Sequence, residues 1–142
     1  MILALDPGKT VGWAAFTEPN TYKSGQFPLE DTMNFLRTAW LSERLTAQIA
    51  NQEPSLKLVV EKFILRKMPN VDLSAVECIG VINAWATQGN FPITWQRPHQ
   101  AKFFYTNERL KDMGLYKPSN PHAMDAMRHL LRYIDKEARL VT

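Results

Sequence analysis

Apolar and polar positions divide the chain into short strand-length runs and three longer periodic stretches. Ile2-Leu3-Ala4-Leu5 is a continuous apolar run stopped by Asp6-Pro7-Gly8, a strong turn signal, and predicts a buried strand. Val11 to Thr17 and Thr21 to Phe27 are two more such runs, separated by Glu18-Pro19-Asn20; together the three predict an antiparallel meander. Asp31 to Asn51 contains no Gly or Pro and spaces Met33, Leu36, Trp40, Leu45 and Ile49 near a helical period, which predicts a long amphipathic helix. Leu56 to Glu61 repeats the opening pattern, an apolar run ending in a carboxylate. Beyond Met68-Pro69-Asn70 a helix is predicted from Asp72 to Thr87, with Asp72 or Ser74 near its start. Gln88-Gly89-Asn90 breaks it, and Phe91 to Gln96 reads as a strand. Pro98 to Lys111 reads as helical or irregular. Asn120 is a favourable N-cap and Pro121 suits the first helical position, so a last helix is predicted to about Glu137.

The order is three strands, helix, strand, helix, strand, helix. The alternating tail calls for parallel pairing with right-handed crossovers, and the meander makes the sheet mixed. An α/β sheet with helices on its faces is expected. With 142 residues, no repeats and no linker, one domain over 1–142 is expected. A content of 45% hydrophobic and 22% charged residues excludes a disordered, collagen-like or coiled-coil chain. No apolar run approaches the roughly 18 residues of a membrane span. Cys78, the sole cysteine, makes neither an internal disulfide nor a zinc cluster. No charged leader precedes the first strand, so no secretory signal and a cytoplasmic location are expected. The net charge of +3 is unevenly spread: residues 1–54 carry four Lys/Arg against six Asp/Glu, and residues 55–142 thirteen against eight. A basic second half suggests a polyanionic partner without deciding for one.

Asp6 and Glu61 end two apolar strands at matched positions, and sites of open α/β sheets gather at the carboxyl ends of parallel strands. If the strands are neighbours, the two acids converge and repel unless a cation sits between them. Oxygen ligands of this kind suit Mg²⁺ or Mn²⁺. Each acid taken alone is equally well a turn or strand-end residue. On the last helix, His122 and Asp125 lie one turn apart on one face, which His129 continues, beside an apolar stripe of Met124, Met127, Leu131 and Ile134. A neutral imidazole in that first turn can bind a metal, take a proton from water or contact a phosphate; taken alone, His122 and Asp125 read rather as ordinary first-turn residues, where acids are favoured.

Together these pieces resemble the RuvC family of Holliday-junction resolvases, within the RNase H-like superfamily. Ile2 to Gly8 followed by Gly12-Trp13 resembles the family's opening strand and hairpin, and Val59-Val60-Glu61 its second acidic strand. His122-Ala123-Met124-Asp125-Ala126 resembles its acidic C-terminal helix, and Arg97-Pro98-His99-Gln100-Ala101-Lys102 its segment after the fifth strand. The compact form is most similar to the bacteriophage branch, although Phe103 to Asn120 lacks the Gly-rich basic segment of the family. The resemblance implies an RNase H-like five-stranded mixed sheet, three strands antiparallel and two parallel. It implies a Mg²⁺-dependent endonuclease that nicks four-way junctions in pairs with two ions, for which Mn²⁺ can substitute. Asp6 would bridge both ions, Glu61 and Asp125 would each help hold one, and His122 would be a ligand or proton acceptor. Lys9, Lys62, Arg66, Lys67, Arg97 and Lys102 would contact DNA, and Phe63 would stack on a base at the branch point. In the run Phe103-Phe104-Tyr105, core packing is expected for two of the three rings.

A junction with two-fold symmetry implies a homodimer, for which the helical face of Leu73, Val76, Gly80, Ala84 and Thr87 is the candidate interface, although burial within one subunit explains that face equally well. No membrane partner is expected, and no residue points to a particular helicase. The competing readings are a broader nuclease for flaps, forks or RNA–DNA hybrids, a catalytically inactive nucleic-acid-binding module, and a sugar-kinase or actin-like ATPase. For the last, the chain is too short to form two lobes.

Overall fold

The computed structural model describes residues 1–65 and 70–141. Its elements are β1 (Ile2–Asp6), β2 (Thr10–Thr17), β3 (Thr21–Pro28), a 3₁₀ turn (Leu29–Asp31), α1 (Thr32–Ile49), β4 (Lys57–Glu61), α2 (Ser74–Gly89), β5 (Ile93–Gln96), α3 (Pro98–Phe104), α4 (Asn107–Asp112) and α5 (Pro121–Val141). The strands form one sheet in the order β3-β2-β1-β4-β5. β1 and β3 are antiparallel to β2, while β1–β4 and β4–β5 are parallel. This is the mixed sheet expected from the order of the elements.

The period-two alternation of a strand sorts β1 and β4 between two cores. Leu3, Leu5, Leu58 and Val60 face α1 and α2, packing with Leu36, Ile82 and Trp85. Ala4, Ala14 and Val59 face α5, packing with Met124, Met127 and Leu130. Continued one step, the same alternation puts Asp6 and Glu61 on the α5 side. The register Ala4↔Val59, Leu5↔Val60 then sets the two acids side by side where the parallel strands end.

Small side chains let α5 lie close to the sheet. A Cβ at Gly12 would stand 1.9 Å from the carbonyl oxygen of His122, so only glycine lets the first turn of α5 rest on β2. Gln26 of β3 completes this seat. Its Oε1 accepts the N–H of His122 at 2.9 Å and of Ala123 at 3.4 Å, two donors that a first helical turn leaves without partners. Asn120, the expected cap, contributes its carbonyl to Met124 N–H at 3.1 Å.

Two expectations about packing change. Leu45 and Ile49 do not join the core face of α1; they are 52% and 89% exposed. Leu45 lies nine residues beyond Leu36, two and a half turns along a 3.6-residue helix and so on the opposite side. The apolar α1 residues that reach the core are Leu36 and Ala47, with Met33, Phe35, Ala39 and Trp40 against them. In the second change, only Tyr105 of the aromatic run is buried, its hydroxyl donating to the Leu131 carbonyl at 3.4 Å. Phe104 is 39% exposed with the Arg132 guanidinium 4.0 Å above its ring, and Phe103 is 82% exposed. α3 is short and meets α5 through Ala101 and Tyr105, four residues apart on one face, which leaves Phe103 outward.

Replacing Gly12 by alanine should cost about 2–3 kcal/mol in urea unfolding by displacing the start of α5. Gly80→Ala, where an added Cβ meets nothing within 4 Å, is the control and should be neutral or stabilising. Equal midpoints for the two variants would mean that α5 does not rest on β2.

Candidate active site

Asp6 leaves β1 buried, with its Oδ2 3.3 Å from His122 Nδ1 on the first turn of α5. Glu61 leaves β4 with its Oε2 2.7 Å from His129 Nε2, two turns further along α5. Asp125 lies between them on the helix. Its Oδ1 accepts from Arg128 Nη1 at 2.9 Å, and its Oδ2 lies 3.6 Å from Lys102 Nζ. Arg128 is itself anchored, donating from Nε to the Tyr105 carbonyl at 2.8 Å and from Nη2 to Asn107.

The three acids act on one another. Asp6 is pushed up from its ordinary 3.8 to about 8, first by burial and then by the charges of Glu61 and Asp125, with Lys102 pulling it back. With no cation bound, Asp6 therefore holds its proton to a higher pH than an ordinary carboxyl, beside His122 Nδ1. Among the described residues, no three His, Cys, Asp or Glu side chains already stand together as a ready metal polyhedron. Each acid is instead tied to its own nitrogen-bearing neighbour. The donor set nevertheless fits a hard divalent cation: carboxylate oxygens with an imidazole, in a place where burial and then neighbouring negative charge raise one acid's pKa. Asp6, Glu61, Asp125 and His122 are the residues able to hold it.

The other sequence candidates surround this point. Lys9 is exposed just past β1. Lys62 is exposed and Phe63 half-buried just past β4, where they line a cavity of about 130 Å³ with Glu61 and Pro7. Arg97 is exposed at the entry to α3, and Lys102 follows on that helix. Arg66 and Lys67 lie outside the described residues. On the other side of Asp125, a cleft of about 460 Å³ is lined by Lys102, Lys117, Arg128, Asn107 and Tyr116.

Four residues with roles here were not singled out for them. His129 was placed on the right helical face but given no task. Arg128 and Gln26 carried no signal beyond their charge and amide. Gln96 had only its position, at the end of β5 and in register with Glu61.

Burial of Asp6 has a stability consequence with a definite sign. Its folded value near 8 lies above its ordinary 3.8, so stability falls as pH rises through that window and is unaffected below it. Asp6→Asn should therefore nearly match the wild type near pH 4 in cation-free buffer and exceed it at pH 8 by up to about 5 kcal/mol. A gap that does not change with pH, measured by thermal melting from pH 4 to pH 8, would show that charge burial is not its cause.

No protein-family model and no curated protein matches the chain, so the bacteriophage branch suggested by the sequence gains no support. Among solved structures, the chain is similar to Thermus thermophilus RuvC in complex with Holliday junction substrate. That match has 14% identity and a TM-score of 0.56, and covers 90% of this chain and 88% of that one. A second Thermus thermophilus RuvC structure matches at 15% identity and TM-score 0.48, over 90% and 89% of the two chains. YeaZ from Pseudomonas aeruginosa matches at 15% identity and TM-score 0.45, over 80% of this chain and 49% of that one. The five-stranded mixed sheet with its flanking helices is the RNase H-like fold of RuvC.

Proposed function

We propose that this chain is a divalent-cation-dependent endonuclease for branched DNA and that a four-way junction is its substrate. One observation carries the reading. Asp6 and Glu61 emerge side by side from neighbouring parallel strands, beneath the helix that brings His122 and Asp125, on the fold of a RuvC solved with junction substrate. Asp6, Glu61, Asp125 and His122 would hold two Mg²⁺ ions, with Mn²⁺ able to substitute. Bound there, such ions acidify a water and neutralise charge on a phosphate.

The chain's own groups do the rest. His122 pairs with Asp6 through Nδ1, and its Nε2 can contact a phosphate, or accept a proton in the tautomer that carries hydrogen on Nδ1. Lys102 carries a cation to the acids from an exposed helix, so it can move to a DNA backbone as the acids gain another partner. The cleft beside Asp125 offers Lys117 and Arg128 along the same path, and Lys9, Lys62 and Arg97 extend it past the strand ends. With Asp6, Glu61 and Asp125 set aside, the remaining chain carries +6, enough for salt-dependent phosphate binding. Phe63, beside Glu61, is placed to stack on a base unpaired at the branch point.

A labelled immobile junction incubated with the protein and Mg²⁺ should show paired, symmetric nicks, reduced about a hundredfold or more in Asp6→Asn. Flap, duplex and RNA–DNA hybrid substrates should be cut far more slowly. Equal cutting of flaps or hybrids would make the protein a broader nuclease. Junction binding without cutting in Mg²⁺ or Mn²⁺ would leave an inactive binding module.

Paired nicks call for two sites related by symmetry, and a homodimer through α2 is part of this reading. Leu73, Val76, Gly80, Ala84 and Thr87 are all exposed, so packing within the subunit does not account for that apolar face. Sedimentation should show a dimer for the wild type and a monomer for Gly80→Glu, with a Tm within a few degrees. A monomeric wild type at micromolar concentration would remove the dimer.

A further inference from the structure

We propose that His129 and Gln96 are a positioning pair that orients Glu61 for cation binding. The proposal rests on reading Glu61 as a metal ligand. Three segments meet here: Glu61 ends β4, Gln96 ends β5 directly beside it, and His129 comes from two turns into α5. Gln96 Nε2 donates to the backbone carbonyl of His129 at 3.3 Å, which turns its Oε1 to His129 Nδ1 at 2.8 Å. The amide thus ties the ring to its own helix backbone, with Oε1 against Nδ1, and Nε2 is aimed at Glu61 Oε2 at 2.7 Å.

Packing alone does not ask for this arrangement. Gln96 is 8% exposed at the end of β5, and His129 is 1% exposed on a helix whose other buried residues nearby are Ala126, Met127 and Leu130. An apolar side chain would fill the place of the imidazole without the cost of burying two ring nitrogens. Here both nitrogens are satisfied, and the result is directional. A glutamate has three side-chain torsions, and its carboxylate is partly open to solvent at the sheet rim. Fixing Oε2 restricts those torsions before any ligand arrives and, among the described residues, leaves Oε1 as the oxygen without a protein tether. Carboxylate ligands are commonly held in this way by a second group, and losing that group typically weakens metal binding 10- to 100-fold.

The test is Mn²⁺ binding to the DNA-free protein by calorimetry, with thermal melting to confirm folding and junction binding in EDTA as a measure independent of metal. His129→Leu and Gln96→Leu should each weaken Mn²⁺ binding about 10- to 100-fold, with junction binding in EDTA unchanged. The double variant should be no weaker than His129→Leu alone, because Gln96 acts through the ring. His129→Gln, whose amide can still hydrogen-bond Glu61, should recover part of the loss. If His129→Leu does not fold, Gln96→Leu alone decides the matter. Folded variants that bind Mn²⁺ like the wild type would overturn the proposal and leave the pair a packing role. A wild type that binds no Mn²⁺, while Asp6→Asn also binds none, would instead take down the ligand reading of Glu61 and this proposal with it.

Discussion

The structure turns on one electrostatic conflict: three carboxylates held within interaction range at the rim of a sheet, with Asp6 buried among them. Burial and like charge both disfavour this arrangement, and the protein answers it locally. Asp6 holds its proton to a higher pH beside His122, Glu61 is tied to His129, and Asp125 is held by Arg128 and Lys102. Three of those partners belong to α5, the helix that also brings Asp125. One element therefore supplies an acid to the site and most of the nitrogen that makes the site tolerable without a cation.

That places a strict demand on how α5 is seated. A shift of an ångström or two would part Glu61 from His129 or Asp6 from His122, since these contacts are 2.7 and 3.3 Å long. Ala4, Ala14 and Gly12 form a shallow track on that face of the sheet, and Gly12 lets the His122 carbonyl sit where any Cβ would stand. Gln26 reaches from β3 to fix the helix start, and Gln96 reaches from β5 to fix the ring two turns along. Two strands at opposite edges of the sheet thus hold the same helix by side-chain amides. The apolar interior supplies most of the free energy, and the amides supply the alignment.

The outer surfaces follow a different logic. The side of the sheet away from α5 is covered by α1 and α2, which bury one face each and leave apolar residues outside: Leu45 and Ile49 on α1, Leu73 and Val76 on α2. On the site side, Phe103 stands outside while Lys102 turns to Asp125. The surface beside the acids thus carries an exposed ring and a cation within reach of Asp125.

Much of this was legible from residue order alone. Strand alternation in Ile2–Leu5 and Leu58–Val60 is a local property, and the turn at Asp6-Pro7-Gly8 ends the first run whatever surrounds it, so the strands and the two acids that close them could be read directly. The helical spacing of His122, Asp125 and His129 is likewise a matter of 3.6 residues per turn. Neighbouring segments decided the rest. Which face of α1 is core depended on where α2 and Phe91 lie, so Leu45 and Ile49 read as core and are not. The tasks of Gln26, Gln96 and His129 depended on contacts spanning 96, 33 and 68 residues. A glutamine carries no periodic or charge signal of its own, and its meaning here arises only when the sheet brings it to the one helix whose unpaired donors and buried ring need it.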